Sequence, residues 1–136
     1  MTVVDASVVI ELIASEDAAH REAALAVLPP ATRPWWAPDL VYFEVFSAIR
    51  RLTQRGNLEP PSAEVALERL YDIPIETTST AALIPAAWML RDRCSAADAF
   101  YAALAQRRAE PSLTIDSGWG RAATAVGGEV LTLGGG

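Results

Sequence analysis

The sequence contains no lysine, one histidine and one cysteine. Each scarcity excludes a class of chemistry. Cys94 has no partner for an internal disulfide, and without a cluster of His and Cys a structural zinc site is not expected. His20 alone excludes any mechanism that needs two histidines. The missing lysine removes the amine that a receiver domain requires beside its acidic site. Positions 6–12 hold no glycine, so the turn after the first strand is not a dinucleotide-binding cradle. Ser7 stands where a haloacid-type phosphatase carries its second acid. No apolar run approaches the ~18 residues of a membrane span. Met1-Thr2 leads into a strand-like run without a basic segment, so no signal peptide is expected. The expected location is the cytoplasm, with no membrane partner.

What is present is a chain of 136 residues, of which 51% are hydrophobic. That composition is too apolar for a disordered chain, and the length fits one domain over residues 1–133, with a frayed end at 134–136. The net charge is −6, carried by 17 acids against 11 arginines. A protein that merely coats nucleic acid relies on basic patches, so the balance points away from that role. Two divalent cations would bring the charge from −6 to −2 and place positive charge at their own site.

Strand-like and helix-like segments alternate. Strands are predicted at 2–4, 35–37, 73–76, 113–115 and 129–133. Helices are predicted at 7–14, 15–28, 39–54, 60–71, 79–93, 96–108 and 117–126. Ser15, Asp39 and Pro60-Pro61-Ser62 mark helix starts, while Pro29-Pro30 and Gly56-Asn57 mark ends. Pro74 implies an edge strand or a strand start. This alternation predicts a parallel sheet covered on both faces, with ligands beyond the carboxyl ends of the strands.

Four acids occupy apolar surroundings: Asp5 after Val3-Val4, Glu44 within Leu40-Val41-Tyr42-Phe43-Glu44-Val45-Phe46, Asp98 before Ala99-Phe100-Tyr101, and Asp116 after Leu113-Thr114-Ile115. Carboxylates are rarely buried without partners, because losing water around a charge is costly. Three of the four have a local alternative. Asp5 and Asp116 fit helix N-caps, and Ser95-Ala96-Ala97-Asp98 fits a capping box. Glu44 has none, since it lies beyond the first turn of a helix opening at Asp39 and its i±3 and i±4 neighbours are mostly apolar. Gathered together, the four would hold one or two Mg²⁺ ions, which take oxygen ligands and keep several waters. Such ions orient and acidify a water and stabilise both oxygens of an in-line phosphoryl displacement, with no nucleophilic side chain required. Ser7 and Thr114 stand where hydroxyls could orient the carboxylates, or serve as ordinary backbone caps.

The motifs resemble those of PIN domains. Val3-Val4-Asp5-Ala6-Ser7-Val8-Val9 resembles the opening motif, and Pro38-Asp39-Leu40-Val41-Tyr42-Phe43-Glu44-Val45 the second acidic motif. Ser95-Ala96-Ala97-Asp98-Ala99-Phe100-Tyr101 resembles the third, and Leu113-Thr114-Ile115-Asp116 the fourth. Length and motif order resemble the VapC-type toxins of bacterial toxin–antitoxin pairs. The resemblance implies an α/β fold, a three-layer α/β/α sandwich with a short parallel sheet. It implies an endoribonuclease dependent on Mg²⁺, with Mn²⁺ as substitute, in which Asp5, Glu44, Asp98 and Asp116 are the metal ligands and Ser7 and Thr114 support them. It further implies a homodimer, an antitoxin protein that inhibits it, and an RNA substrate such as transfer or ribosomal RNA. Two departures stand out: Ser117 replaces a basic residue common after the last acid, and 108–111 lack the glycine often found before that strand.

Arg50, Arg51, Arg55, Arg91, Arg93 and Arg121 are the candidates for an RNA path, since the guanidinium fork bonds two phosphate oxygens; each is also an ordinary surface residue. Trp35-Trp36, Phe43 and Phe46 are expected either to form a groove for an apolar antitoxin helix or to be core. Alternatives to the toxin reading are a nuclease of RNA maturation or DNA cleavage, and a non-catalytic binding module.

Overall fold

The computed structural model describes residues 3–14, 35–108, 112–114 and 130–132. Strand β1 is Val3–Val4, and helix α1, Ala6–Ala14, follows it at once. Strand β2 is Trp35–Pro38, followed by α2, Val41–Gln54, and α3, Pro60–Leu70. Strand β3, Ile75–Thr78, leads into α4, Thr80–Trp88. Helix α5 is Ala96–Arg108, and strands β4, Ser112–Thr114, and β5, Val130–Thr132, follow. The helices predicted at 15–28 and 117–126 lie outside the described residues.

The five strands form one parallel sheet in the order β3-β2-β1-β4-β5. The chain therefore builds outward from β1 in one direction and then returns to its other side. That reversal lies between β1 and β4, where Val4 is in register with Leu113. In open parallel sheets a crevice opens at this point, beyond the carboxyl ends of the strands. Helices α1, α2 and α3 pack together on one side, and α4 packs on α5 on the other, giving three layers. Among the described residues no helix is long and apolar enough to cross a membrane.

The core explains the sequence pattern. Val3, Val4, Val8, Val9, Ile13, Val41, Val45 and Ile49 are all buried in one cluster that also takes in Trp35 and Tyr101. The stripe Val41, Val45, Ile49 recurs every four residues, which directs one face of α2 inward. Where α4 meets α5, Ala87, Ala99, Ala102 and Ala103 are buried, and their small side chains let the two backbones approach closely.

Local boundaries differ from expectation for identifiable reasons. Helix α3 does begin at Pro60, as expected, because proline fits the first helical turn, where N–H groups lack partners anyway. Helix α4 ends at Trp88, not near 93, where the chain tightens into turns with Leu90 N–H bonded to Ala87 O and Arg93 N–H to Leu90 O, each at 2.9 Å. Strand β3 starts at Ile75, two residues later than expected, with Pro74 just before it; it is an edge strand, so the edge expectation holds. Helix α2 begins at Val41 with no side-chain cap of its own. Asp39, expected to open it, instead accepts a hydrogen bond from the Thr80 backbone N–H at 3.0 Å and another from the Thr80 hydroxyl.

Candidate active site

Asp5 follows directly on β1 and is buried, with 5% of its surface exposed. Its Oδ1 accepts from the Val8 N–H at 3.3 Å and from the Ser7 hydroxyl. The cap reading of Asp5 is thus correct, and it does not exclude a functional one: capping fixes the carboxylate just beyond the carboxyl end of β1. The Ser7 hydroxyl is oriented onto the same carboxylate.

Glu44 lies in the first turn of α2, not beyond it, because the helix starts two residues later than expected. Capping still does not explain it, since with Leu40 at the N-cap Glu44 is the fourth helical residue, one beyond the capping-box position. Its carboxyl is half-buried, and burial pushes its pKa above the usual glutamate value. The Tyr101 hydroxyl pulls it down, and the charges of Asp5 and Asp98 push it up again. Asp5 and Asp98, from two other segments, are thus near enough for their charges to act on Glu44. Glu44 Oε1 is buried without a hydrogen-bond partner among the described residues.

Asp98 lies in the first turn of α5, where its N–H donates to Ser95 Oγ at 3.3 Å. The cap is therefore Ser95, and the Asp98 charge acts on Glu44 and Cys94. Burial, and then the Asp98 charge, push the Cys94 thiol pKa up, which makes it a poor nucleophile.

Thr114 ends β4, level with Asp5 by the Val4–Leu113 register. Asp116 and Arg121 lie outside the described residues. Among the described residues no three acidic, His or Cys side chains stand in ready metal-holding geometry. The fit to a hard cation is carried instead by the all-oxygen donor set and by Glu44 Oε1, a buried acceptor without a donor.

Tyr101 is the site residue that the sequence reading missed. It is almost wholly buried, its hydroxyl facing Glu44, and burial beside that carboxylate raises its pKa far above the ordinary range. It is a neutral hydroxyl at any working pH. The available signal was its place three residues after Asp98, on the same helix face, as the one hydroxyl in an alanine-rich run.

The arginines are less concentrated. Arg50, Arg51, Arg55 and Arg93 are exposed. The first three lie along α2 toward its far end, with Arg55 roughly 16 Å from Glu44 along the axis at the helical rise per residue. Arg91 is engaged locally: its guanidinium sits 4.7 Å from the centre of the Trp88 ring and donates to Trp88 O at 3.0 Å. The expected aromatic groove is not formed as a unit. Trp35 is buried in the sheet core and Trp36 packs against it, whereas Phe43 and Phe46 are exposed on α2. The alternation of the sheet separates them: β2 directs its tryptophans into the layers, while α2 faces its phenylalanines away from its own buried stripe. Phe46 instead borders a groove of about 610 Å³ with Tyr42, Leu67, Leu70, Tyr71 and Ile73.

The PIN domain family model matches residues 2–125. The chain belongs to the PIN domain family. Over 122 residues it is 33% identical to ribonuclease VapC3 of Mycobacterium tuberculosis, covering 88% of this chain and 85% of that one. Among solved structures it is similar to Mycobacterium tuberculosis VapC20, described as a sarcin-ricin loop cleaving toxin, with a TM-score of 0.65 at 20% identity over 93% of this chain and 95% of that one. FitAcB from Neisseria gonorrhoeae matches at a TM-score of 0.65 and 20% identity, over 97% of both chains. These two structures share the fold.

Proposed function

We propose that this protein is an endoribonuclease dependent on Mg²⁺ or Mn²⁺, the toxin of a type II toxin–antitoxin pair. The observation that supports the reading is the buried Glu44 carboxylate under the charges of Asp5 and Asp98, in a chain one-third identical to a ribonuclease of the same family. Asp5, Glu44, Asp98 and Asp116 would hold the cation. When bound, it supplies an acidified water and neutralises charge on a phosphodiester oxygen. The protein supplies the fixed framework. Ser7 and the Val8 N–H hold the Asp5 carboxylate in one orientation, and the Tyr101 hydroxyl faces the Glu44 carboxylate from beneath. Thr114 stands level with Asp5 as a supporting residue. Neither Cys94, with its raised pKa, nor the single histidine is needed.

The partners follow from charge and exposure. An acidic site in a chain of net charge −6 favours an antitoxin that presents arginine or lysine. Exposed Arg50, Arg51, Arg55 and Arg93 are available to RNA phosphates, and transfer and ribosomal RNA are the substrates to try first. The N-terminal ends of α2 and α4 are joined by the Leu40–Thr80 hydrogen bond, and both helices carry exposed apolar side chains, Phe43 and Phe46 on one, Ile84 and Trp88 on the other. Such exposed apolar side chains suit a contact between two copies of the chain. The cytoplasm is the location consistent with this role.

The test is antitoxin-free protein incubated with a cellular RNA pool, first with Mn²⁺ or Mg²⁺ and then with chelator. Cleavage is expected only with the cation, and is expected to be lost in Asp98→Asn. Cleavage that continues in chelator overturns the proposal.

A further inference from the structure

The start of α2 is held by residues forty positions away. Thr80 Oγ1 accepts a hydrogen bond from the Leu40 N–H at 3.2 Å and donates its proton to the Asp39 carboxylate. That uses the one donor and an acceptor site of a hydroxyl in fixed directions. The Asp39 carboxylate also takes the Thr80 N–H at 3.0 Å, and the Asp39 N–H donates to Thr78 O at 2.9 Å. The carbonyl of Leu40 in turn accepts the Glu44 N–H at 3.1 Å. The helix has no side-chain cap from its own sequence, so the N–H before its first turn is satisfied by Thr80 from the start of α4. A helix whose first turn is tied at several points to a neighbouring strand end cannot rotate or slide without breaking them.

We propose that Asp39 and Thr80 form a latch that sets the height and rotation of the first turn of α2, so that Asp39 is a positioning residue for Glu44 and not itself a metal ligand. The inference rests on the reading of Glu44 as a group that holds the cation. The chemistry separates it from the obvious rival. Asp39 stands at the carboxyl edge of the sheet, as a ligand would, but its carboxylate is directed at Thr80, whose hydrogen bonds hold its pKa below the usual aspartate value. A positioning residue needs an acceptor oxygen, whereas a ligand needs the charge.

The experiment is Mn²⁺ calorimetry on the purified full-length protein and on Asp39→Asn, Asp39→Ala, Thr80→Ser, Thr80→Val and Glu44→Ala, with amide hydrogen exchange read at Leu40 and Glu44. Asp39→Asn and Thr80→Ser keep the hydrogen-bonding groups and are expected to bind within about twofold of wild type. Asp39→Ala and Thr80→Val are expected to weaken binding by about three- to tenfold, at the lower edge of what groups orienting metal ligands contribute, and to speed exchange at Leu40. Binding unchanged in Thr80→Val, or Asp39→Asn as weak as Asp39→Ala, overturns the latch while Glu44→Ala still loses the metal. If Glu44→Ala binds Mn²⁺ as wild type does, the reading of Glu44 itself falls, and the latch with it.

Discussion

The Tyr101 hydroxyl on α5 faces the Glu44 carboxylate on α2, so two helices from opposite layers of the sandwich meet at one acidic group. The hydroxyl opposes the rise that burial causes in the Glu44 pKa, because a hydroxyl dipole beside a carboxylate favours its charged form.

Tyr101→Phe preserves the ring in the core and removes that donor. Glu44 is then expected to hold its proton more tightly. Cation binding requires the deprotonated carboxylate, so the pH at which Mn²⁺ binding reaches half its plateau should move upward. Calorimetric titrations across pH 5 to 8 read this directly; a midpoint unchanged from wild type would show that Tyr101 serves only packing.

Glu44→Gln separates stability from function. Burial raises the Glu44 pKa above its ordinary value of 4.5, with Asp5 and Asp98 adding to the rise. The folded state therefore binds the proton more strongly than the unfolded state. The stability this contributes is complete below the ordinary value and is lost as pH rises through the raised folded value. Metal-free wild type should lose stability over that interval, and Glu44→Gln should not. At pH 7 the variant is expected to melt a few degrees higher, the shift that about 1 kcal/mol produces in a domain of this size. With Mn²⁺ present the order should reverse, because only wild type gains full stabilisation from the ligand. Calorimetric melts with and without the ion, at pH 4 to 8, test both halves.

The sheet and the acidic site were legible to different extents, for physical reasons. Parallel strands separated by helices announce themselves through short apolar runs such as Val3-Val4 and the four-residue stripe of α2, and these came out as expected. Asp5 and Glu44 stood out because a charge within an apolar run is costly. Tyr101 did not, because a tyrosine in an apolar helix looks like ordinary core until the fold shows what its hydroxyl faces. Nor did the Asp39–Thr80 link. A local reading assigns Asp39 to the nearest helix, α2, but its bonds run across the sheet edge to α4, and sequence spacing carries no information about that contact.

Ser7→Ala removes the hydroxyl that donates to Asp5 and leaves the Val8 N–H bonded to the same oxygen. The cost to stability should be about 1 kcal/mol, typical of one intramolecular hydrogen bond. The cost to cleavage should be larger, about tenfold or more, since groups that orient a metal-holding carboxylate commonly contribute that much. Cleavage rates with saturating Mn²⁺, measured beside a thermal melt, distinguish the two; equal small losses in both would reduce Ser7 to a helix cap.

Phe43 and Trp88 are 72% and 65% exposed, and Met89 is 73% exposed. Large exposed apolar groups can serve as an interaction face, and aromatic residues are prominent among those that carry binding energy. Neither Phe43 nor Trp88 belongs to the buried core, so replacing them should not disturb folding. The double variant Phe43→Ser with Trp88→Ser is therefore expected to retain its melting temperature within a few degrees. It should also sediment as a monomer at concentrations where wild type sediments as a dimer. A wild-type protein that is monomeric at about 100 μM, well above the micromolar range of ordinary association, would show that this face serves a different partner. A double variant that remains dimeric would place the contact between copies elsewhere on the surface.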